Sequence, residues 1–189
     1  MTGFPLHLLR HGAPETPGLL LGRTDMRSSA AGVAACAAKA RGVAAERIVT
    51  SDLLRCRQAA AIIGDAKGIV PIVDPRWREL DFGAWDGRAG SQIDNDALAR
   101  FWNDPDGCPP PGGERWSSLV ARVDAALVAL DPLPTLIVTH GGTIRAALHS
   151  LCGFDPRQTW SFDLPYGVLV SLRVWRGDVT SAQIVEIAP

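Results

Sequence analysis

The chain has 189 residues, of which 47% are hydrophobic and 21% are charged, and its 19 basic and 20 acidic side chains give a net charge of −1. This length suits one domain over 1–189, and the balance excludes a disordered or fibrous chain. Because the chain has no bulk positive charge, we expect it to bind neither nucleic acid nor an anionic membrane surface. No segment approaches the ~20 consecutive apolar residues of a membrane-spanning helix.

The first part of the chain alternates short apolar segments with alanine-rich amphipathic ones. This pattern predicts strands over 4–9, 47–50 and 69–73. It also predicts helices over 28–42 and 52–66. Ser51 is the expected N-cap of the second helix, and Gly68 follows its end. Pro71 makes the third strand an edge strand, because proline cannot donate to a sheet ladder.

The second part continues the alternation and ends in a hairpin. Helices are predicted over 91–102, 114–130 and 143–152, and the proline- and glycine-rich segment 104–113 is a loop. Strands are predicted over 135–138, 168–175 and 179–187, the last two joined by a turn. Strands that alternate with helices predict an α/β fold whose central sheet is mostly parallel.

Three predicted strand ends carry cationic or imidazole side chains. The first strand is followed by Arg10 and His11. The helix after the second strand carries Arg55 in its first turn, and His140 follows the strand over 135–138. Because the carboxyl ends of parallel strands meet at one edge of a sheet, we expect these four side chains to lie together.

Two arginines beside two histidines suit a phosphoryl group. The arginine guanidinium is a planar fork of donors that matches phosphate oxygens, and a histidine can be the nucleophile. Gly12 and the Gly141-Gly142 pair would let backbone N–H groups approach an anion. Since guanidinium groups can neutralise the transferring phosphoryl group, this chemistry requires neither a metal nor another cofactor.

The four cysteines are scattered, with no C-x-x-C pair that would indicate a zinc or redox site. The N-terminal segment lacks the cationic start and long apolar stretch of a secretion signal. We therefore expect reduced thiols and a cytoplasmic protein. The expected partner is a small phosphorylated metabolite, and the sequence leaves the oligomeric state open.

Four segments, in this order, resemble the histidine phosphatase superfamily, also called phosphoglycerate mutase-like. They are Arg10-His11-Gly12, SDLLRCRQA over 51–59, ELDFGAWDG over 79–87 and VTHGG over 138–142. R-H-G alone is a weak motif, but the ordered set spans most of the chain. The resemblance implies a three-layer α/β/α fold.

The resemblance also implies a role for each matching residue. His11 would be the nucleophile that becomes phosphorylated, and Arg10 and Arg55 would hold the phosphoryl oxygens. His140 would hold another oxygen and carry positive charge for the transition state. Glu79 would be the general acid that protonates the leaving oxygen and then the base that activates water. Asp81 and Asp86 lie nearby in the same motif and remain rival acids.

Within the superfamily the chain resembles the α-ribazole phosphatases of cobalamin biosynthesis. The supporting segments are 22–25 (GRTD), 79–87 and 111–114 (PGGE). After R-H-G many members continue with an acid or amide and a threonine, whereas this chain has Ala13 and Pro14. Thr24 could replace the missing polar side chain at the phosphate. Arg23 could meet a second anionic group or remain in solvent.

An aromatic-rich stretch offers a second contact for the substrate. Trp85, Phe101, Trp102 and Trp116 could wall the site or could belong to the core. As a wall they would favour a flat leaving group, so α-ribazole 5′-phosphate is expected to react better than 3-phosphoglycerate. A mutase-type phosphotransferase, a broad small-molecule phosphatase and a non-catalytic protein that binds a phosphorylated ligand remain alternatives.

Overall fold

The computed structural model describes residues 3–189 and has a six-stranded sheet at its centre. The strands, in chain order, are β1 (Phe4–Arg10), β2 (Arg47–Thr50), β3 (Ile72–Val73), β4 (Thr135–Thr139), β5 (Leu169–Trp175) and β6 (Ser181–Ala188). They lie in the order β3-β2-β4-β1-β5-β6. The first four in this order are parallel to one another, and β5 and β6 are antiparallel to their neighbours. The mostly parallel α/β sheet expected from the sequence is therefore confirmed.

Helices cover both faces of the sheet. They are α1 (Ala30–Ala40), α2 (Leu54–Lys67), α3 (Asn95–Asn103), α4 (Trp116–Val128), α5 (Gly141–Cys152) and α6 (Pro156–Thr159). Single 3₁₀ turns occur at Pro75–Trp77, Gly83–Trp85 and Gly90–Gln92. None of the helices formed by residues 3–189 is long and apolar enough to cross a membrane.

Two apolar clusters hold the layers together. On one face, Leu8 and Ile137 of the sheet pack with Leu119 of α4 and Ile144 of α5. On the other face, strand residues such as Ile48, Leu136 and Val138 pack with small residues of α1 and α2. Strand side chains point alternately to the two faces. Two apolar clusters on opposite faces therefore give the expected α/β/α layering.

The start of α2 differs from the expectation that Ser51 caps it. The helix begins at Leu54, and its first N–H donates to Oδ1 of Asp25 over 2.6 Å. Ser51 lies too early to cap this helix, and its hydroxyl instead contacts His140. The other end agrees with the sequence, because Gly68 ends the helix with a left-handed φ of 69°.

Candidate active site

His11 lies directly after β1 at the carboxyl edge of the sheet. Its Nδ1 is 2.8 Å from the carbonyl oxygen of Gly12. Because a carbonyl can only accept, Nδ1 carries the proton and Nε2 keeps its lone pair. Burial and the positive charges of Arg55 and Arg10 hold the pKa of His11 well below its usual 6.5. A neutral imidazole with a free Nε2 is the form that can attack phosphorus.

Gly12 makes room for α1. A Cβ at this position would lie 2.2 Å from the carbonyl oxygen of Gly32, inside the backbone of the helix. The Gly12 carbonyl also accepts from the hydroxyl of Ser28 over 3.0 Å, so the acceptor that fixes the His11 tautomer is itself held. Gly12 therefore has a packing role, and the approach of its N–H group to an anion stays a prediction.

Arg10 lies beside His11 and faces the same cavity. Its guanidinium carbon is 4.1 Å from the centroid of the Tyr166 ring, and Nη1 donates to the carbonyl of Leu164. Its Nε is buried and has no hydrogen-bond partner among residues 3–189. A Cβ on Gly141 would lie 3.4 Å from this guanidinium, in ordinary van der Waals contact, so Gly141 packs beside Arg10. An unpartnered buried donor at a cavity wall suits an incoming oxyanion.

Arg55 is fully buried in the first turn of α2. Its Nη1 donates to the carbonyl of Thr24 over 2.8 Å. Its Nη2 donates to the carbonyls of Leu21 and Gly22 over 2.8 and 2.9 Å. Arg55 therefore lies behind the cavity wall, with main-chain oxygens on its terminal nitrogens.

Asp86 holds the loop that supplies these oxygens. It accepts from the backbone N–H groups of Gly22, Arg23 and Thr24 and from the hydroxyl of Thr24. Both Thr24 donors are therefore occupied, and the Thr24 side chain does not line the cavity around His11. The expectation that Thr24 replaces a phosphate ligand finds no support in this arrangement.

His140 lies between Arg55 and Ser51. The Nε of Arg55 is 3.2 Å from Nδ1 of His140, and Nε2 of His140 is 2.9 Å from the Ser51 hydroxyl. Since a guanidinium only donates, Nδ1 is the acceptor and Nε2 carries the proton. Burial and the charge of Arg55 also hold the pKa of His140 well below 6.5. The positive charge that the resemblance implies for His140 concerns the transition state and stays a prediction. Its ring centroid lies 5.1 Å from that of His11.

Glu79 faces the cavity from the loop before α3. Its two carboxylate oxygens accept from the backbone N–H groups of Gly142, over 3.1 Å, and Leu80, over 2.8 Å. Of the three rival acids, it alone lines the cavity. Asp81 pairs with Arg23 over 3.2 Å. The acid role predicted for Glu79 is compatible with this position, whereas neither Asp81 nor Asp86 lines the cavity.

Arg23, for which the sequence left two possibilities, pairs with Asp81. Its side chain remains partly exposed, and Arg23 does not line the cavity. A role in binding a second anion stays a prediction.

The cavity beside His11 has a volume of about 180 Å³. Its wall includes three of the four aromatic residues named from the sequence, whereas Trp85 lies in the core. The three are Phe101, Trp102 and Trp116.

The lining residues that the sequence analysis did not place in the site include Arg145, Trp160 and Tyr166. The last two follow α5 in a segment without a predicted element. Arg145 could have been found, because it is four residues after Gly141 and so on the same helix face.

Comparison with known proteins agrees with this geometry. A family model described as "Histidine phosphatase superfamily (branch 1)" matches residues 6–186. A glucosyl-3-phosphoglycerate phosphatase of Mycobacterium tuberculosis is 34% identical over 160 residues, covering 75% of this chain and 72% of the relative. A protein of Yersinia enterocolitica named "Probable phosphoglycerate mutase GpmB" is 32% identical over 161 residues, covering 79% and 75%.

A solved structure from Escherichia coli, described as a candidate alpha-ribazole-5′-P phosphatase, superposes with a TM-score of 0.86. It is 21% identical, and the match covers 100% of this chain and 97% of that one. At this identity the likeness establishes the fold alone.

An α/β sheet with a neutral histidine and an arginine facing one cavity is the framework of a phosphoryl-transfer enzyme. The chain belongs to the histidine phosphatase superfamily, and it is a phosphatase-type enzyme of that family.

Proposed function

We propose that the chain is a metal-independent phosphomonoesterase that acts through a phosphohistidine at His11. The single observation that carries the proposal is the hydrogen bond from Nδ1 of His11 to the Gly12 carbonyl. It leaves Nε2 unprotonated, and His11 and Arg10 both line the cavity.

The reaction has two steps. In the first, Nε2 of His11 attacks phosphorus, the P–O bond to the leaving group breaks, and protonated Glu79 gives its proton to the leaving oxygen. In the second, the Glu79 carboxylate takes a proton from water, the water oxygen attacks phosphorus, and the N–P bond breaks. His11 returns to its neutral form and inorganic phosphate is released.

Arginine charge supports both steps. Arg10 has a free buried donor at the cavity and is proposed to bind a phosphoryl oxygen. Arg55 and His140 lie behind the cavity wall, and we include the binding of phosphoryl oxygens by both residues in the proposal. Reaching the phosphate would require Arg55 to exchange one of its carbonyl partners for a phosphoryl oxygen.

The test uses an aryl phosphate such as p-nitrophenyl phosphate. Wild-type protein is expected to release phosphate equally well with and without a chelator, and acid-labile phosphate should be trapped on His11. His11→Ala should abolish both. Loss of activity on chelation that a divalent ion restores would overturn metal independence, and near wild-type turnover by His11→Ala would overturn the nucleophile.

The substrate of the proposal has two candidates. An aromatic wall that includes Trp102 and Trp116 supports α-ribazole 5′-phosphate, and with it a role in cobalamin biosynthesis. Arg145 in the same wall supports instead a phosphate ester with a second anionic group, as in the name of the M. tuberculosis relative. Comparing kcat/KM for α-ribazole 5′-phosphate and 3-phosphoglycerate at low concentration distinguishes them.

Two further parts of the proposal concern location and reaction type. The four cysteines are free thiols, which supports a reducing compartment such as the cytoplasm. Mutase turnover is the alternative reaction, because the Y. enterocolitica relative carries that name. Conversion between phosphoglycerate isomers without phosphate release would favour it.

A further inference from the structure

Glu79 lies in a segment that has no regular secondary structure. Residues 78–82 belong to neither a helix nor a strand. The backbone of such a segment lacks ladder hydrogen bonds, so other groups must bind its polar atoms. The contacts with Gly142 and Leu80 direct the Glu79 carboxylate, but they do not hold the main chain that carries it. The groups that hold this main chain therefore determine where Glu79 lies.

Arg122 of α4 binds the main chain up to Glu79. Its Nη1 donates to the carbonyl oxygens of Arg76 and Arg78, both over 2.7 Å. Its Nη2 donates to the carbonyl oxygen of Glu79 over 2.9 Å. One guanidinium therefore holds three carbonyl groups within the four residues that end at Glu79.

Glu114 orients this arginine and extends the support past Glu79. Its carboxylate accepts from Nε and Nη2 of Arg122 over 2.8 and 2.9 Å, so the two largely buried side chains form a two-point ion pair. The same carboxylate accepts from the backbone N–H of Asp81 over 3.2 Å. The N–H of Glu114 in turn donates to the Asp81 carbonyl over 2.9 Å. The Arg122–Glu114 pair therefore holds the main chain on both sides of Glu79.

The segment 111–114 (PGGE), part of the family resemblance, brings its glutamate to this position. A Cβ on Gly113 would lie 2.5 Å from the carbonyl oxygen of Asp81. A Cβ on Gly83 would lie 2.4 Å from the carbonyl oxygen of Pro111. The two loops therefore touch at the level of the main chain, which glycine at both positions allows.

We infer that Arg122 is a positioning residue for proton transfer by Glu79, and that Glu114 keeps Arg122 in the required orientation. The inference rests on the acid role of Glu79 in the proposed function and deepens it. Neither Arg122 nor Glu114 lines the cavity, so both act through the main chain that carries Glu79. Because proton transfer needs a heavy-atom distance of ~2.6–3.2 Å, a shift of this segment by about 1 Å takes the acid out of reach.

The competing explanation is that the Arg122–Glu114 pair only stabilises the fold. Loss of a purely stabilising contact lowers the folded fraction and therefore lowers the rates for all substrates by one factor. Loss of a positioning contact slows esters that need a proton from Glu79 and spares an activated aryl ester, whose leaving group needs none. The ratio of the two rates does not depend on the amount of folded protein, so it distinguishes the explanations.

The experiment measures kcat/KM for p-nitrophenyl phosphate and glycerol 3-phosphate with wild type, Arg122→Gln and Glu114→Gln. Arg122→Gln should raise the aryl-to-alkyl ratio by about 10- to 100-fold, the cost of a small misplacement of a catalytic group. Glu114→Gln keeps Arg122 without its charged partner and should raise the ratio less. This milder variant tests the inference even if Arg122→Gln does not fold.

Arg47→Gln is the matched control and should keep the wild-type ratio. Arg47 also forms an ion pair, with Asp131, and its side chain is 17% exposed against 18% for Arg122. It begins β2, so it lies at the end of that strand away from the candidate site.

A double variant separates this inference from the proposed function. Glu79→Gln alone should raise the ratio by about 100-fold or more, the contribution of a general acid. Adding Arg122→Gln to Glu79→Gln should change the ratio by less than about twofold, because no acid remains to be positioned. An unchanged ratio in both Arg122→Gln and Glu114→Gln, or additive effects in the double variant, overturns the inference and leaves the proposed function standing. An unchanged ratio in Glu79→Gln overturns the acid role in the proposed function itself.

Discussion

The Nε of Arg55 donates to Nδ1 of His140 over 3.2 Å, so the cation and the imidazole form one buried unit. The contact determines which nitrogen of His140 carries the proton and directs Nε2–H towards Ser51. Together with burial, which is the larger cause, the adjacent guanidinium holds the pKa of His140 well below its usual 6.5. A substitution at Arg55 will therefore also remove the hydrogen bond that fixes the tautomer of His140.

Arg55→Ala should lower both activity and stability. It removes a cation behind the phosphate site and leaves the carbonyls of Leu21, Gly22 and Thr24 without their donor. We expect kcat/KM for p-nitrophenyl phosphate to fall by the factor that corresponds to a loss of ~3–4 kcal/mol of transition-state stabilisation. The free energy of unfolding should fall by ~2–4 kcal/mol, because buried acceptors lose their partners. The control for both measurements is Arg57→Ala, because Arg57 is two residues further along α2 and is exposed. An activity loss below tenfold would remove Arg55 from the site.

Glu79→Gln should act on the leaving group. An ester with a poor leaving group needs a proton in the transition state, whereas an activated aryl phosphate does not. We expect Glu79→Gln to slow an alkyl phosphate far more than p-nitrophenyl phosphate. Asp81→Asn, in the same loop but paired with Arg23, should lower both rates by a similar factor. Equal losses in Glu79→Gln would transfer the acid role to another residue.

Gly142→Ala should slow alkyl phosphates as Glu79→Gln does, although it leaves the carboxyl group of Glu79 chemically unchanged. A Cβ on Gly142 would lie 2.3 Å from Oε1 of Glu79, so the carboxylate must move. The displaced acid should again penalise alkyl phosphates more than aryl phosphates. Gly42→Ala is the matched control, because nothing lies within 4 Å of its Cβ position. If Gly142→Ala keeps the wild-type ratio of the two rates, the position of Glu79 is not what the alkyl substrates depend on.

The two buried histidines should make the protein less stable below pH 6.5. Both have a pKa below 6.5 in the folded state and about 6.5 in the unfolded state. Between these values the unfolded chain binds more protons, so the free energy of unfolding falls as the pH falls. Urea midpoints at pH 7.5, 6.5 and 5.5 measure this slope. His140→Gln should reduce it by up to ~1.4 kcal/mol per pH unit, and an unchanged slope would mean that His140 is already protonated.

The sequence predicted most of the strands because their signals are local. Strand β2 has the predicted bounds, and β1 and β4 extend one residue past theirs. Apolar segments that end at Arg10 or just before His140 are typical of buried parallel strands. The carboxyl ends of such strands lie at the same edge of the sheet. The placement of the candidate site at one edge of the sheet could therefore be predicted before any contact was known.

The tautomers, the caps and the distal wall could not be predicted in this way. The neutral state of His140 depends on Arg55, which is 85 residues away in the chain. The cap of α2 comes from Asp25 rather than from the adjacent Ser51. Trp160 has no periodic pattern around it, and only its position in the folded structure, against Arg145 and Trp102, assigns it to the cavity wall.

Three main-chain oxygens hold the terminal nitrogens of Arg55 in their orientation. The Leu21 side chain lines the cavity while its carbonyl accepts from Arg55, so one residue serves the leaving group and the arginine through different atoms. Exchanging this side chain therefore alters the shape offered to a leaving group and keeps the acceptor in place. A natural or engineered substitution at position 21 can therefore change the substrate preference of the enzyme while the hydrogen bonds that hold Arg55 are kept.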